Sequence, residues 1–379
     1  MAAYFTSFGT CLPNDPVPAD KIEEFVGTVG KSDIRDLVVR NSGIKQRHYA
    51  LDREQNTTHR QVDLATGAIR QAVERSELDL DDIEVIAVGG SSGDFPGPSL
   101  AAMAHGELGM ERPVELVSSY GFCASGMIAM KPAYMMVKNG EFKSAAICAS
   151  ELTSRHFKSS RYPDGSILDD DGKLPFDIAF MRYMLSDGAG AAVIQDHPST
   201  SRTSYRIEWV VNTSFAHTTE PCMYLGTAHR SNGNGHALTW QDYPTIEEAS
   251  RDGAMSLRQN MRLLPRFIRT CGKEWARLIN EGYFDPSEIT TVAMHYSSDA
   301  LLPHFRRSFA REGVDTLEDR WYTNLHTVGN IGSASIWIML EELFRKDEHK
   351  PGDKILCFVP ESGRFTVSMM LLTVVGPEG

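Results

Sequence analysis

The amino-acid sequence predicts an α/β fold with a largely parallel sheet covered by helices, and three observations carry that expectation. Strand-like and helix-like patterns alternate through the first half, the same alternation resumes in the second, and glycine-rich turns join the segments. Gln61–Arg75 carries apolar residues at helical spacing. Ile83–Gly90 (IEVIAVGG) follows as a continuous apolar run closed by Gly-Gly, the mark of a buried strand. Pro113–Ser119 leads as a strand towards Cys123, and Met127–Lys138 reads as a helix after it. Ala145–Ala149 (AAICA) is another buried strand, and Asp187-Gly-Ala-Gly-Ala-Ala-Val-Ile is a small-residue turn feeding one more. In the second half Ile207–Val211 and Ile289–Ala293 read as strands and Ser335–Phe344 as a helix. Lys354–Val359 and Thr366–Val375 read as closing strands. Two halves are expected, 1–196 and 197–379, with an excursion loop over Asp164–Asp177 and a helical cap over about 217–285.

Composition narrows the partners. The 379 residues suffice for a large core, and 41% hydrophobic with 23% charged residues is ordinary for a soluble globular protein. The 38 Lys and Arg stand against 50 Asp and Glu, a formal net charge of -12. Nucleic acid and anionic membrane both call for a basic footprint, so neither is expected as a partner; an acidic protein meeting a local basic patch is compatible. The start Met1-Ala-Ala-Tyr-Phe-Thr-Ser-Phe-Gly lacks the charged and apolar blocks of a signal peptide, and no apolar run has spanning length. A cytoplasmic protein is the expectation. Six cysteines, at 11, 123, 148, 222, 271 and 357, form no CxxC pair, which points to free thiols rather than a zinc or disulfide framework.

Three residues are candidates for chemistry. Cys123 lies in Ser-Ser-Tyr-Gly-Phe-Cys-Ala-Ser-Gly-Met, after a strand and at a helix start, where the helix dipole favours a thiolate and small neighbours admit a substrate. A buried structural cysteine is the ordinary alternative. His295 follows the strand Ile289–Ala293, at the end where open parallel sheets place functional groups; a cap or core histidine is the alternative. Asn330, in Val328-Gly-Asn-Ile-Gly-Ser-Ala-Ser, by itself is a turn residue.

The order of the three, together with several motifs, resembles the β-ketoacyl-acyl-carrier-protein synthase III group of the thiolase superfamily over nearly the whole chain. Ser42-Gly-Ile-Lys-Gln-Arg-His resembles that family's N-terminal segment, Gly121-Phe-Cys-Ala-Ser-Gly its nucleophile segment, and Leu185-Ser-Asp-Gly-Ala-Gly-Ala its mid-chain turn. His295 and Gly329-Asn-Ile-Gly-Ser-Ala-Ser fall at its histidine and asparagine turn. Glu220-Pro-Cys-Met-Tyr-Leu-Gly and Val359-Pro-Glu-Ser-Gly-Arg-Phe are similar to ketosynthases that build dialkylresorcinols and cyclohexanediones. The resemblance implies a five-layered αβαβα thiolase fold built from two similar halves, a homodimer, and a Claisen-type acyltransferase with neither metal nor redox cofactor. It implies that Cys123 carries an acyl group, that His295 and Asn330 hold the acceptor's enolate, and that the backbone N–H groups of Cys123 and Gly363 bind the oxyanion. The acceptor would be a malonyl- or β-ketoacyl thioester on an acyl carrier protein, with ring closure in the resorcinol-type case.

Departures from the family pattern sharpen these expectations. No Trp stands near Ile34, which weakens the case for coenzyme A as donor, and Gly97 replaces a channel-closing Phe, which favours a medium or long acyl chain. The C-terminal loop is Pro360-Glu-Ser-Gly-Arg-Phe rather than glycine-rich, so Glu361 is expected as an extra acid or base, or as a solvated partner of Arg364. Phe365 is expected beside the substrate. Arg306 and Arg307, with Arg40, are the expected contacts to carrier protein or phosphopantetheine. Asp187 is expected to brace its turn. Two rivals share the fold: a transferase to an oxygen or nitrogen acceptor, and a non-catalytic ketosynthase partner, which the intact Cys123 disfavours.

Overall fold

The computed structural model describes residues 1–31, 33–162, 167–231 and 237–377. Ten strands make one mixed sheet. They are β1 Tyr4–Cys11, β2 Val85–Gly90, β3 Glu115–Tyr120, β4 Ser144–Glu151 and β5 Gly188–Gln195. The second set is β6 Ser204–Ser214, β7 Thr291–Met294, β8 Trp321–Tyr322, β9 Lys354–Glu361 and β10 Thr366–Val375. Their spatial order is β8-β7-β9-β10-β6-β1-β5-β4-β2-β3. Read outward from the centre, each half has its first strand innermost, then its fifth, fourth, second and third. The halves join where Tyr4 faces Arg206 and Phe5 faces Tyr205.

The sheet is less parallel than the sequence suggests. Only β2 with β3 and β4, and β7 with β8 and β9, pair in parallel. The five other pairings are antiparallel. The strand–helix alternation reports the crossover connections and is silent on returns. β9 and β10 are separated by only residues 362–365, too few for the crossover of a dozen or more residues that parallel strands need.

Helices of nine or more residues are α1 Asp33–Ser42, α2 Gln61–Glu74, α3 Leu100–Leu108, α4 Ser125–Lys138 and α5 Phe176–Met184. They continue as α6 Leu264–Asn280, α7 Leu302–Arg311 and α8 Ser335–Lys346. Helices α4 and α8 lie between the two halves of the sheet, where Met127, Met130, Trp337 and Leu340 share a core with Val85, Ala145, Ile355 and Met370. Strand periodicity sends neighbours the other way: Ile86 and Val88 join the outer core under α2 and α3. The outer face of the second half is covered by α1, α5, α6 and α7, with Leu264, Phe267, Ile268, Cys271, Trp275 and Leu278 forming the apolar stripe of α6. The layers are therefore αβαβα, as expected. Gly126 is needed where α4 meets α8, because a Cβ there would lie 2.6 Å from Trp337 Nε1 and 2.8 Å from Ala149 Cβ.

Two expected segments differ in detail. The span 217–285 is only partly helical: α6 fills its end, but Met223–Tyr224, Thr227–Ser231, Ala237–Thr239 and Arg258–Gln259 are short strands. Of the loop over 164–177, residues 164–166 lie outside the described residues, and α5 already begins at Phe176.

Candidate active site

One cavity brings Cys123, His295 and Asn330 together. Each comes from a different connection. Cys123 sits in the turn between β3 and α4, with Ser125 N–H donating to Phe122 O at 3.0 Å to close that turn. His295 directly follows β7, and its backbone N–H donates to Phe358 O on β9 at 3.0 Å. Asn330 forms a single bridge to Leu185, and its carbonyl accepts from Ser186 N–H at 2.8 Å. Its side-chain Oδ1 accepts from Gly332 N–H at 3.0 Å, which fixes the amide and leaves Nδ2 as a free donor. Asp187 braces the same region, accepting from Ala50 N–H at 2.8 Å and Ser154 N–H at 2.9 Å.

Burial sets the charge states. His295 is 4% exposed, and burial lowers its pKa to about 4, so its ring is neutral at pH 7. The Cys123 thiol behaves contrary to the sequence expectation. It is pushed well up, by burial first and then by the carboxylates of Glu361 and Glu151. Its helix-start position is outweighed by desolvation and by two negative charges that come from remote parts of the chain.

Glu151 is the site residue that the sequence reading missed. It ends β4, is 1% exposed and lines the cavity with Cys123. Ser333 donates to Oε1 through its hydroxyl at 2.5 Å and its N–H at 3.3 Å, and Ser91 donates through both its hydroxyl and its N–H. These bonds lower its pKa and burial raises it; burial prevails, at about 7. A polar residue just past the apolar run Ala145–Ala149 is the signal that could have found it, the same one that singled out His295.

The remaining expected residues divide. Gly363 closes the loop over the nucleophile turn: a Cβ there would lie 2.8 Å from the Phe122 ring, and its carbonyl accepts from Cys222 N–H at 2.7 Å. Among the described residues, neither Cys123 N–H nor Gly363 N–H donates to another residue, and Cys123 N–H meets only its own sulfur, so both can turn to an incoming oxyanion. Glu361 is buried and not a solvated partner of Arg364, which donates instead to Thr219 O. Nor does its carboxylate line the cavity, which is walled by Pro360 and Ser362 on either side. Phe365 stands behind the wall, its ring 5.2 Å from that of Phe267, which does line it. Gly97 is exposed and lines no part of this chain's cavity; a Cβ there would meet nothing within 4 Å.

The cavity beside Cys123 is tight, about 60 Å³. Met181, Met184, Met223, Leu257 and Phe267 form its apolar side, and flexible methionine side chains let such a wall reshape. Phe180, Leu264 and Leu301 are shared with a second, apolar cleft that includes Leu37 and Val38 of α1. That cleft shares Pro265, Ile268 and His304 with a third, lined by Arg269, Arg307 and Arg311. Arg306 is outside this cluster and ion-paired with Glu318, and Arg40 is exposed but lines none of the three clefts. Among the described residues, no helix is long and apolar enough to cross a membrane, and no group of three His, Cys, Asp or Glu side chains is placed to hold a metal ion.

Comparison with known proteins adds the family. Residues 280–372 match the 3-oxoacyl-[acyl-carrier-protein] synthase III C-terminal family, and residues 52–164 match the thiolase N-terminal domain. The β-ketoacyl-[acyl-carrier-protein] synthase III of Clostridium beijerinckii is 25% identical over 371 residues, covering 96% of this chain and 97% of that one. The enzyme of the same name from Helicobacter pylori strain 26695 is 24% identical over 356 residues, covering 93% of each. Among solved structures, the tetronic acid condensing enzyme AbyA1 superposes with a TM-score of 0.75 at 16% identity, over 98% of this chain and 99% of that one. OleA of Xanthomonas campestris gives 0.73 at 19% identity, over 98% of each. With its two-half αβαβα architecture and its matches to both family models, the chain is a β-ketoacyl-acyl-carrier-protein synthase III-like acyltransferase with the thiolase fold.

Proposed function

We propose that Cys123 accepts an acyl group from a thioester and that the acyl group is then joined to a carbon acceptor held by His295 and Asn330. The observation that carries this reading is the convergence of the three side chains on one cavity. In loading, the sulfur attacks the donor's thioester carbonyl, the free amides of Cys123 and Gly363 receive the oxyanion, and the donor thiol leaves. In condensation, the neutral His295 ring and the Asn330 amide donate to the acceptor's thioester oxygen as the enolate forms, by loss of CO2 from a malonyl acceptor or of the α-proton of a β-ketoacyl acceptor to the Glu151 carboxylate that lines the cavity. The α-carbon attacks the Cys123 thioester, the C–S bond breaks, and the sulfur regains a proton. The acceptor is a malonyl- or β-ketoacyl thioester, and with a β-ketoacyl acceptor a second carbon–carbon bond closes a ring.

The three linked clefts suggest the route of the donor: a thioester arm through the apolar cleft, with its phosphate and acidic carrier protein at Arg269, Arg307 and Arg311. In a chain of net charge -12 such a cluster stands out as a docking point. Its members replace Arg306 and Arg40 as the proposed contacts. Intact-mass analysis with a panel of acyl-carrier proteins, then with acceptor, tests both parts. One acyl mass should appear on the chain, and the product should gain the acceptor's carbons; an ester or amide product would overturn condensation. Arg269→Glu with Arg307→Glu and Arg311→Glu should raise KM for carrier-bound donors about tenfold or more and spare small thioester mimics. High salt should act in the same direction on the wild type, since such contacts are screened over about 8–10 Å. Equal losses on both donor types would remove the carrier assignment.

A homodimer is proposed from the sheet edge. Among the described residues β3 has no neighbour on its outer side, and it carries the exposed apolar side chains Tyr120 (80% exposed) and Leu116 (37%). Gly97 is exposed and lines no part of this chain's own cavity, so a missing side chain there widens a channel only across a dimer. The medium- or long-chain reading depends on that arrangement. Light scattering should give twice the chain mass, and Leu116→Asp with Tyr120→Asp should give the single mass; a monomeric wild type would sink both ideas.

A further inference from the structure

The condensation chemistry above gives no task to the buried carboxylate of Glu361, beside the nucleophile. Glu361 ends β9, and its side chain turns beneath Gly121–Ala124 instead of into the cavity. A single oxygen, Oε2, accepts from two backbone amides that flank Cys123: Phe122 N–H at 3.1 Å and Ala124 N–H at 2.9 Å. Drawing both flanking amides to one side leaves the amide between them, that of Cys123, as the free donor of the turn. The other oxygen, Oε1, lies 3.2 Å from where a Gly363 Cβ would stand, so the same carboxylate abuts the residue that supplies the second free amide.

We infer that Glu361 is a positioning residue that clamps the C-terminal loop to the nucleophile turn, bringing the Cys123 and Gly363 amides to one oxyanion position, and that its negative charge opposes a thiolate at unacylated Cys123. The inference deepens the proposed loading step and rests on it for the oxyanion half; the charge half concerns the thiol alone. Burial raises the Glu361 carboxyl and the two amide bonds oppose that rise. Besides Glu361 itself, the titratable groups around the turn and cavity are Cys123, Glu151, His295 and Tyr296. Among the described residues no cation pairs with Glu361: its chain neighbour Arg364 is spent on Thr219 O at 3.0 Å. With two carboxylates and no positive group, the local field disfavours negative sulfur, which matches the raised thiol.

Glu361→Gln separates the two halves, because one amide oxygen can still accept from both backbone N–H groups while the charge is gone. Cys123 alkylation by iodoacetamide, followed by intact mass against a Cys123→Ala blank, reads the thiol without any acyl donor. Glu361→Gln should move the rate–pH profile about one unit towards acid, making alkylation about threefold faster below the midpoint, since about tenfold more thiolate is offset in part by its lower nucleophilicity. Acyl loading by this variant should not fall, and should rise by about the same factor where attack by the sulfur limits it. Glu361→Ala should share the alkylation shift but lose about 10²-fold in kcat for loading, with KM little changed, as expected when an oxyanion donor is misplaced. Melting temperatures of both variants check the fold. A Glu361→Gln profile that coincides with wild type overturns the charge role. A folded Glu361→Ala that loads at the wild-type rate overturns the clamp. If no acyl donor loads the wild type while alkylation still shifts, the proposed function fails and the charge role stands.

Discussion

Cys123→Ala is expected to gain no acyl mass under conditions in which the wild type gains one, and to lose condensation by about 10³-fold or more, because the covalent intermediate cannot form. The other thiols do not substitute. Cys148, Cys222, Cys271 and Cys357 are buried, and burial raises the pKa of each. Cys11 is only partly buried, but it too is raised and it lies outside the cavity. The raised Cys123 thiol is compatible with nucleophilic attack, since a less stable thiolate is a stronger nucleophile once formed. The substitution removes one atom at a partly exposed position, so the melting temperature should change little. Intact mass before and after incubation with an acyl thioester decides the matter. Labelling that persists in the folded Ala variant would move the nucleophile elsewhere and take the proposed function with it.

What was legible in the sequence is what local pattern controls. Buried parallel strands announce themselves as apolar runs, and β2, β4 and β7 were read that way. His295 follows β7 and Cys123 follows β3, positions that local pattern marks as candidates, whereas Asn330 lies in a turn and only the resemblance of its motif singles it out. What failed needed partners distant in the chain. The sign of the thiol's shift depends on Glu361 and Glu151, neither adjacent in sequence to Cys123. Glu151 itself looked unremarkable because its donors, Ser91 and Ser333, stand 60 and 182 residues away. The pairing of Arg306 with Glu318, twelve residues away, is likewise not visible in the local sequence. Gly97 is expected in the acyl channel from the resemblance, but it is exposed and lines no part of this chain's cavity.

His295→Ala and Asn330→Ala should separate loading from condensation. Both variants should still take up one acyl mass on Cys123, because the oxyanion of loading is met by backbone amides rather than by these side chains. Both should lose carbon–carbon bond formation by about 10²-fold or more, the usual cost of removing one preorganised donor to a developing oxyanion. The double variant should lose less than the product of the single losses if the two side chains hold the same oxygen. For His295 there is an independent check of the burial argument. Its pKa is lowered from 6.5 to about 4, so the unfolded chain binds a proton there at a higher pH than the folded one. The neutral ring's contribution to stability is therefore present above pH 6.5 and is lost as pH falls towards 4, a change on the order of 3 kcal/mol. His156, lowered to about 4 as well, and the other titrating groups remain in the variant, so the comparison isolates one ring. The melting temperature of His295→Ala should fall less between pH 6.5 and 4 than that of the wild type. A variant that condenses at near wild-type rate would place the enolate site elsewhere, and parallel melting curves would show that His295 is not held neutral by burial.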